Sequence, residues 1–275
     1  MLANIYDFLF GWAEYDFMIN AFIAILLITP IFGLLGSIIV NNKMAFFSDA
    51  LGHSALTGAG LGVVLGISAV NVSMILFSAV FAVGIVYIKY SGKASMDTTI
   101  GVFSSVAVAL GLVLLSGEGY SKYSSLIVGD ILGITRGELL MLAVLLCAVL
   151  FVWIFMHKSL ALVSLSPSIA ISRGVNVMAV DMIFTVLVAF VVTASIKWVG
   201  LLIINSLFIL PAAAARIAAK NMRTYVLYCA LISVLCGIFG LFAAFHLGTP
   251  AGATVSLFCG GVYFIMFAFK RGAVR

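Results

Sequence analysis

Nine runs of mostly apolar residues, roughly 18–40, 44–66, 70–88, 98–116, 137–156, 175–195, 198–215, 224–245 and 250–269, follow one another with only short polar breaks. Each is close to the ~20 residues that a helix, rising ~1.5 Å per residue, needs to cross a ~30 Å hydrocarbon layer. No water is available to the backbone inside such a layer, so the runs predict helices, which pair their amides internally. The run at 198–215 is short and leaves room for a partly re-entrant segment. The longest polar pieces, Gly117 to Arg136 and His157 to Val175, are too short to fold alone. Residues 1–275 therefore predict one domain, an all-α polytopic bundle of about eight to nine transmembrane helices.

Composition agrees: the chain is 65% hydrophobic and only 8% charged, with a mean hydropathy of +1.32, which excludes a water-soluble surface for most of it. A net charge of +5 raises nucleic acid as a partner, but the placement of the bases argues for loops instead. With the acidic N-terminus (Asp7, Glu14, Asp16) outside, eleven of the fourteen Lys and Arg face the cytoplasm, the exceptions being Lys122, Arg136 and Lys197. The positive-inside rule then predicts N-out, C-in and an odd number of crossings, with no nucleic-acid role. The acidic start is also the opposite of a signal-peptide n-region, so no cleaved segment is expected. Cys147, Cys229, Cys236 and Cys259 lie within apolar runs and form no CxxC pair, which argues against a disulfide framework or a thiolate zinc site. No GxxxxGK[ST] phosphate loop is present, so ATP-driven transport would need an ATPase on another chain.

Against this apolar background, FFSDALGHSALTG stands out. Asp49 and His53 are spaced i and i+4, which on a helix puts both on one face, able to address the same small cation. With a helix from near Met44, His53 lies ~13 Å in and Asp49 one turn nearer the cytoplasm. Ionisable groups at that depth read as a substrate path, or else as a hydrogen bond that only fixes packing. Gly58, Gly62 and Gly66 follow the small-xxx-small pattern of close helix contact. Further on, Pro211, four alanines and then Arg216, Lys220 and Arg223 predict a short helix at the cytoplasmic interface that receives force from a soluble partner, or an ordinary helix end with snorkelling bases. Asn205 either assists the path or bonds a neighbouring helix. Asp97 with Thr98 and Thr99 reads as a helix start, Glu118 and Asp130 as solvated turn residues first and partner contacts second, His157 as solvated, and His246, before a tight outer turn, as an interface histidine or one that meets arriving metal. Asp181 lies in an apolar run without a nameable partner.

Taken in order, KMAFFSDALGHSALTG, SMDTTIGVFSSVAVALGLVL, LIVGDIL, SPSIAISRGVN, WVGLLIINSLFILPAAAARIAAK and LGTPAGATV resemble the successive landmarks of the permease subunits of bacterial zinc and manganese ABC importers. The resemblance spans nearly the whole chain. Gly52 stands where the family commonly has Ser, and Asn205 where it is usually small or apolar. The resemblance implies a type II ABC-importer fold in the bacterial cytoplasmic (inner) membrane, a second copy of the permease around one path, cytoplasmic ATP-binding subunits, and an extracytoplasmic metal-binding protein. It implies that Asp49 and His53 line the metal path and that Pro211, Arg216, Lys220 and Arg223 belong to the coupling element. Catalytic residues and a permanently bound cofactor are not expected, and transported Zn2+, or Mn2+, would be cargo. A secondary cation transporter and an intramembrane metalloenzyme are the rival readings; the second would need about three ligands and a base, whereas the three histidines are scattered.

Overall fold

The computed structural model describes residues 11–67, 69–91, 95–116 and 125–273, and all regular structure among them is helical. After a 3-10 turn at Gly11–Glu14 come α1 (Asp16–Asn41), α2 (Phe47–Val64), α3 (Val70–Ser91), α4 (Met96–Leu115), the single turn α5 (Ser125–Val128), α6 (Arg136–Leu165), α7 (Pro167–Ser172), α8 (Val177–Val199), α9 (Leu201–Ala218), α10 (Met222–Leu247) and α11 (Ala251–Ala273). Nine of these are long, one for each apolar run. Seven are long and apolar enough to cross a membrane. The remaining two, α2 and α9, are 18 residues each.

Polar residues at the breaks set the boundaries. Ser95 accepts from the Thr98 amide at the start of α4, Thr135 and Glu138 form a capping box on α6, Asn176 caps α8, and Asn221 with Thr224 boxes the start of α10. Each satisfies amides that have no partner within the helix. Gly248, left-handed at φ 64°, ends α10. Asp130 receives the Gly133 amide at 3.1 Å, as a turn aspartate does. Glu118 lies outside the described residues.

Three boundaries differ from the sequence expectation. The α2 helix starts at Phe47 rather than near Met44, which puts His53 six residues, about 9 Å, along it. The α6 helix runs to Leu165 through His157 and Lys158, because their polar side chains stay exposed while Leu160 and Val163 keep the buried face continuous. Pro211 does not separate a short cytoplasmic helix: α9 passes through it to Ala218, with Pro211 itself buried.

Packing divides the helices into two groups. Helix α1 lies against α6, α9 and α10, and α11 covers α9 and α10; α2 lies against α3 and α4, with α8 behind α2 and α3. The α2–α9 contact is one of the seams that join the groups. Close approach is built from glycine. A Cβ on Gly36 would stand 2.3 Å from the Phe208 carbonyl oxygen, so α1 and α9 touch through backbone there. Gly200, at φ 89°, turns the chain between α8 and α9 and abuts the Val128–Gly129 backbone. The junction sits deep, since Val199 shares a small cavity with Ile25, Ile28 and Thr29 from the middle of α1.

Candidate functional site on α2

From Phe47 to Gly60 every residue of α2 is buried except Asp49, His53 and Leu56. Their spacing of four and three puts them on a single stripe, which continues back to exposed Phe46. The other polar side chains of this stretch point away from it and are satisfied. Ser48 donates to Asn205 of α9 at 2.6 Å, Ser54 reaches Ser78 of α3 at 3.1 Å, and Thr57 donates to the Ala107 carbonyl of α4 at 2.6 Å. Three neighbouring helices thus bind α2 by its back and sides and leave the acid and the imidazole on the uncovered face.

The His53 Nε2 lies 3.7 Å from the Asp49 carboxylate, with their side chains 26% and 36% exposed. A hydrogen bond needs about 3 Å, so the two groups face the same space without closing on each other. That leaves a nitrogen and a carboxylate free to meet a cation from one side. Asp49 also stands in the first turn of α2, where the helix dipole favours its charge. Among the described residues no three His, Cys, Asp or Glu side chains gather. Asp49 and His53 thus stand without a third such side chain among the described residues. Asn205, which accepts from Ser48, belongs to a strip of α9 that is half-buried at Asn205, Ser206, Ile209 and Ala213.

The four residues expected at the coupling element lie at or near the junction of α9 and α10, in different surroundings. Pro211 is inside α9. Arg216, in its last turn, donates to the Asn41 side chain and lies over the Tyr225 ring at 5.5 Å, while Asn41 in turn donates to Ser164 at 2.7 Å. It knits the ends of α1, α6, α9 and α10 together. Lys220 is exposed in the short link between α9 and α10, beside a cleft of about 280 Å³ bordered by Asn41, Leu165, Arg216 and Tyr225. Arg223 is exposed in the first turn of α10. Nearby along the chain from Leu165, α7 starts with Ser166 as cap and Pro167 at the first position, and exposes Ile169 and Ile171. The Ser-Pro pair is the sequence signal for this helix.

Sequence reasoning also left Asp181 unpaired. It is 1% exposed, and one carboxylate oxygen accepts from Lys89 Nζ and from the Tyr90 hydroxyl, both at 2.6 Å, while the other has no partner among the described residues. A second pair, Lys197 with Glu138, joins α8 to the start of α6. His157 is exposed, with Nδ1 3.0 Å from the Ile154 carbonyl oxygen, and His246 packs its ring against Phe245 in the last turn of α10.

Residues 14–270 match the model of the ABC 3 transport family. The chain is 32% identical to the high-affinity zinc uptake system membrane protein ZnuB of Haemophilus influenzae, over 86% of this chain and 91% of that one. It is 28% identical to the manganese import system permease protein ScaB of Streptococcus gordonii, over 96% and 95% of the two chains. In structure it resembles PsaBC from Streptococcus pneumoniae, solved in complex with Fab, at a TM-score of 0.82 and 25% identity, covering 96% of this chain and 95% of that one.

Proposed function

Because the chain belongs to the ABC 3 transport family, as a metal-import permease rather than an enzyme, we propose that it moves zinc, with manganese as second choice, into the cytoplasm on energy from separate ATP-binding subunits. The observation that carries this reading is the single uncovered stripe of α2, with Asp49 and His53 as its only ionisable groups. Burying charge in a membrane without function is costly, and a helix enclosed on its other sides gains nothing in packing from an acid on its open one.

Imidazole with carboxylate suits zinc, and suits manganese when oxygen donors are added. Two donors make a weak site, as passage requires: the ion enters from an extracytoplasmic metal-binding protein, exchanges part of its water for His53 nitrogen and Asp49 oxygen, and leaves when the path opens inward. A second copy of the chain, related by a two-fold axis, supplies the opposite wall. The chain sits in the bacterial inner membrane with its N-terminus outside, in keeping with the bases at one end of the bundle. There the exposed apolar face of α7 and the neighbouring Lys220 offer a surface for an ATP-binding subunit. Pro211 and Arg216 contribute by shaping that end from within.

The test is metal uptake into proteoliposomes holding the permease with its ATP-binding subunits. Uptake should require ATP and fall at least tenfold in Asp49→Ala and His53→Ala complexes that still assemble and hydrolyse ATP. Wild-type rates in both variants would reduce the pair to helix packing. Uptake driven by an ion gradient without ATP would instead make the chain a secondary transporter.

A further inference from the structure

Helices α6 and α10 both pack on α1 but not to any extent on each other. The gap between them is a groove of about 440 Å³ with Ile38 of α1 among its apolar wall residues, Trp153 on the α6 side and Val226 on the α10 side. Lys158 of α6 and Arg223 of α10 both line it, with His157 beside Lys158, and among the described residues no acidic side chain does. The ion pairs among the described residues engage Lys89 and Lys197 but neither of these two bases. One turn before Lys158, Ile154 and Phe155 are exposed, and the turns after Arg223 expose Leu227 and Leu231. The surface therefore combines two positive charges with a tryptophan of the kind found at membrane interfaces and leads onto exposed apolar side chains.

We propose that this groove binds an anionic phospholipid, its phosphate held between Lys158 and Arg223 and an acyl chain laid along the apolar wall between α6 and α10. Basic pockets between transmembrane helices select such headgroups, and each base near the surface favours an anionic lipid about fivefold. A guanidinium and an ammonium on separate helices can hold a phosphate from two sides. The groove lies away from the stripe of α2, since the helices packed around α2 are α3, α4, α8 and α9. A lipid here would brace the end of α6 that leads into α7 against the start of α10.

The chain's three tryptophans, Trp12, Trp153 and Trp198, make the test direct. In the Trp12→Phe/Trp198→Phe protein Trp153 is the sole reporter, and brominated phosphatidylglycerol should quench it at about tenfold lower mole fraction than brominated phosphatidylcholine. That preference should vanish in Lys158→Gln/Arg223→Gln and survive millimolar inorganic phosphate. Native mass spectrometry of the wild-type chain, which should retain phosphatidylglycerol adducts that the double variant loses, serves if the tryptophan variant folds poorly. Equal quenching by the two lipids, or a preference unchanged in the double variant, overturns the site. Loss of the preference to inorganic phosphate would make it a free-anion site. A double variant that keeps its lipid preference and loses its ATP-binding subunit would give the bases to a protein partner.

Discussion

Ser48 and Asn205, 157 residues apart, share a 2.6 Å hydrogen bond across the α2–α9 seam. Ser48 is the residue before Asp49, so this bond fixes the rotation of α2 that turns the carboxylate to the open stripe. Hydrogen bonds between transmembrane helices are worth about 0.6 kcal/mol on average and reach ~1.7. A double-mutant cycle of Ser48→Ala and Asn205→Ala, read by unfolding in detergent, should return a coupling in that range. Metal uptake should drop several-fold in either single variant while ATP hydrolysis persists. A coupling of zero with full uptake would leave Asn205 without a positioning role.

The Lys89–Asp181 pair should be asymmetric under mutation. Asp181 is 1% exposed and already has one unpartnered oxygen, whereas the Lys89 side chain is 28% exposed and can turn its ammonium toward water. Removing one partner of a buried pair costs about 3–5 kcal/mol. Lys89→Met should approach that cost, Asp181→Asn should fall well below it, and Lys89→Met/Asp181→Asn should recover most of the loss. Thermal unfolding of the three purified variants checks the order, and equal losses for the two single variants would contradict it.

The number and order of the long helices were legible because lipid imposes one length and one backbone solution on every apolar run. The expected 224–245 and 250–269 became Met222–Leu247 and Ala251–Ala273. What failed were breaks inferred from single residues. Pro211 did not end α9, since a proline removes only one backbone hydrogen bond and the buried run around it continues. The polar His157 and Lys158 did not end α6, since a polar residue on an outer face costs a helix little. The i, i+4 spacing of Asp49 and His53 already placed them on one face, but not that this face alone lacks cover. Nor could the partner of Asp181 be named, because Lys89 is 92 positions away in the chain and local periodicity carries no information at that range.

Two glycine-to-alanine changes should have opposite signs. At Gly36 the new methyl would sit 2.3 Å from a backbone oxygen of α9, whereas at Gly101 none of the described residues outside its own helical turns comes within 4 Å. Gly36→Ala should cost about 1–3 kcal/mol by forcing α1 and α9 apart. Gly101→Ala should be neutral or gain up to ~1 kcal/mol of helix propensity in α4. Unfolding midpoints in detergent would show this, and a harmless Gly36→Ala would mean that α1 and α9 are less tightly joined than their backbone contact requires.

If two copies of the chain wall one path, the residue that reports it is Leu56. It shares the uncovered stripe with Asp49 and His53, one turn farther along α2, and supplies no metal donor of its own. A two-fold axis facing this stripe would bring each residue on it toward its own counterpart, a property of isologous interfaces that no other arrangement of two chains reproduces. In a protein whose four cysteines have been replaced by serine or alanine, Leu56→Cys should therefore form a chain-to-chain adduct with a short bifunctional maleimide. Bound zinc should slow that reaction by crowding the path, and Val80→Cys, on the exposed surface of α3, should give no such adduct. Efficient cross-linking through Val80 with none through Leu56, in a preparation that still takes up metal, would place the partner on another face and leave Asp49 and His53 to serve a path within one chain.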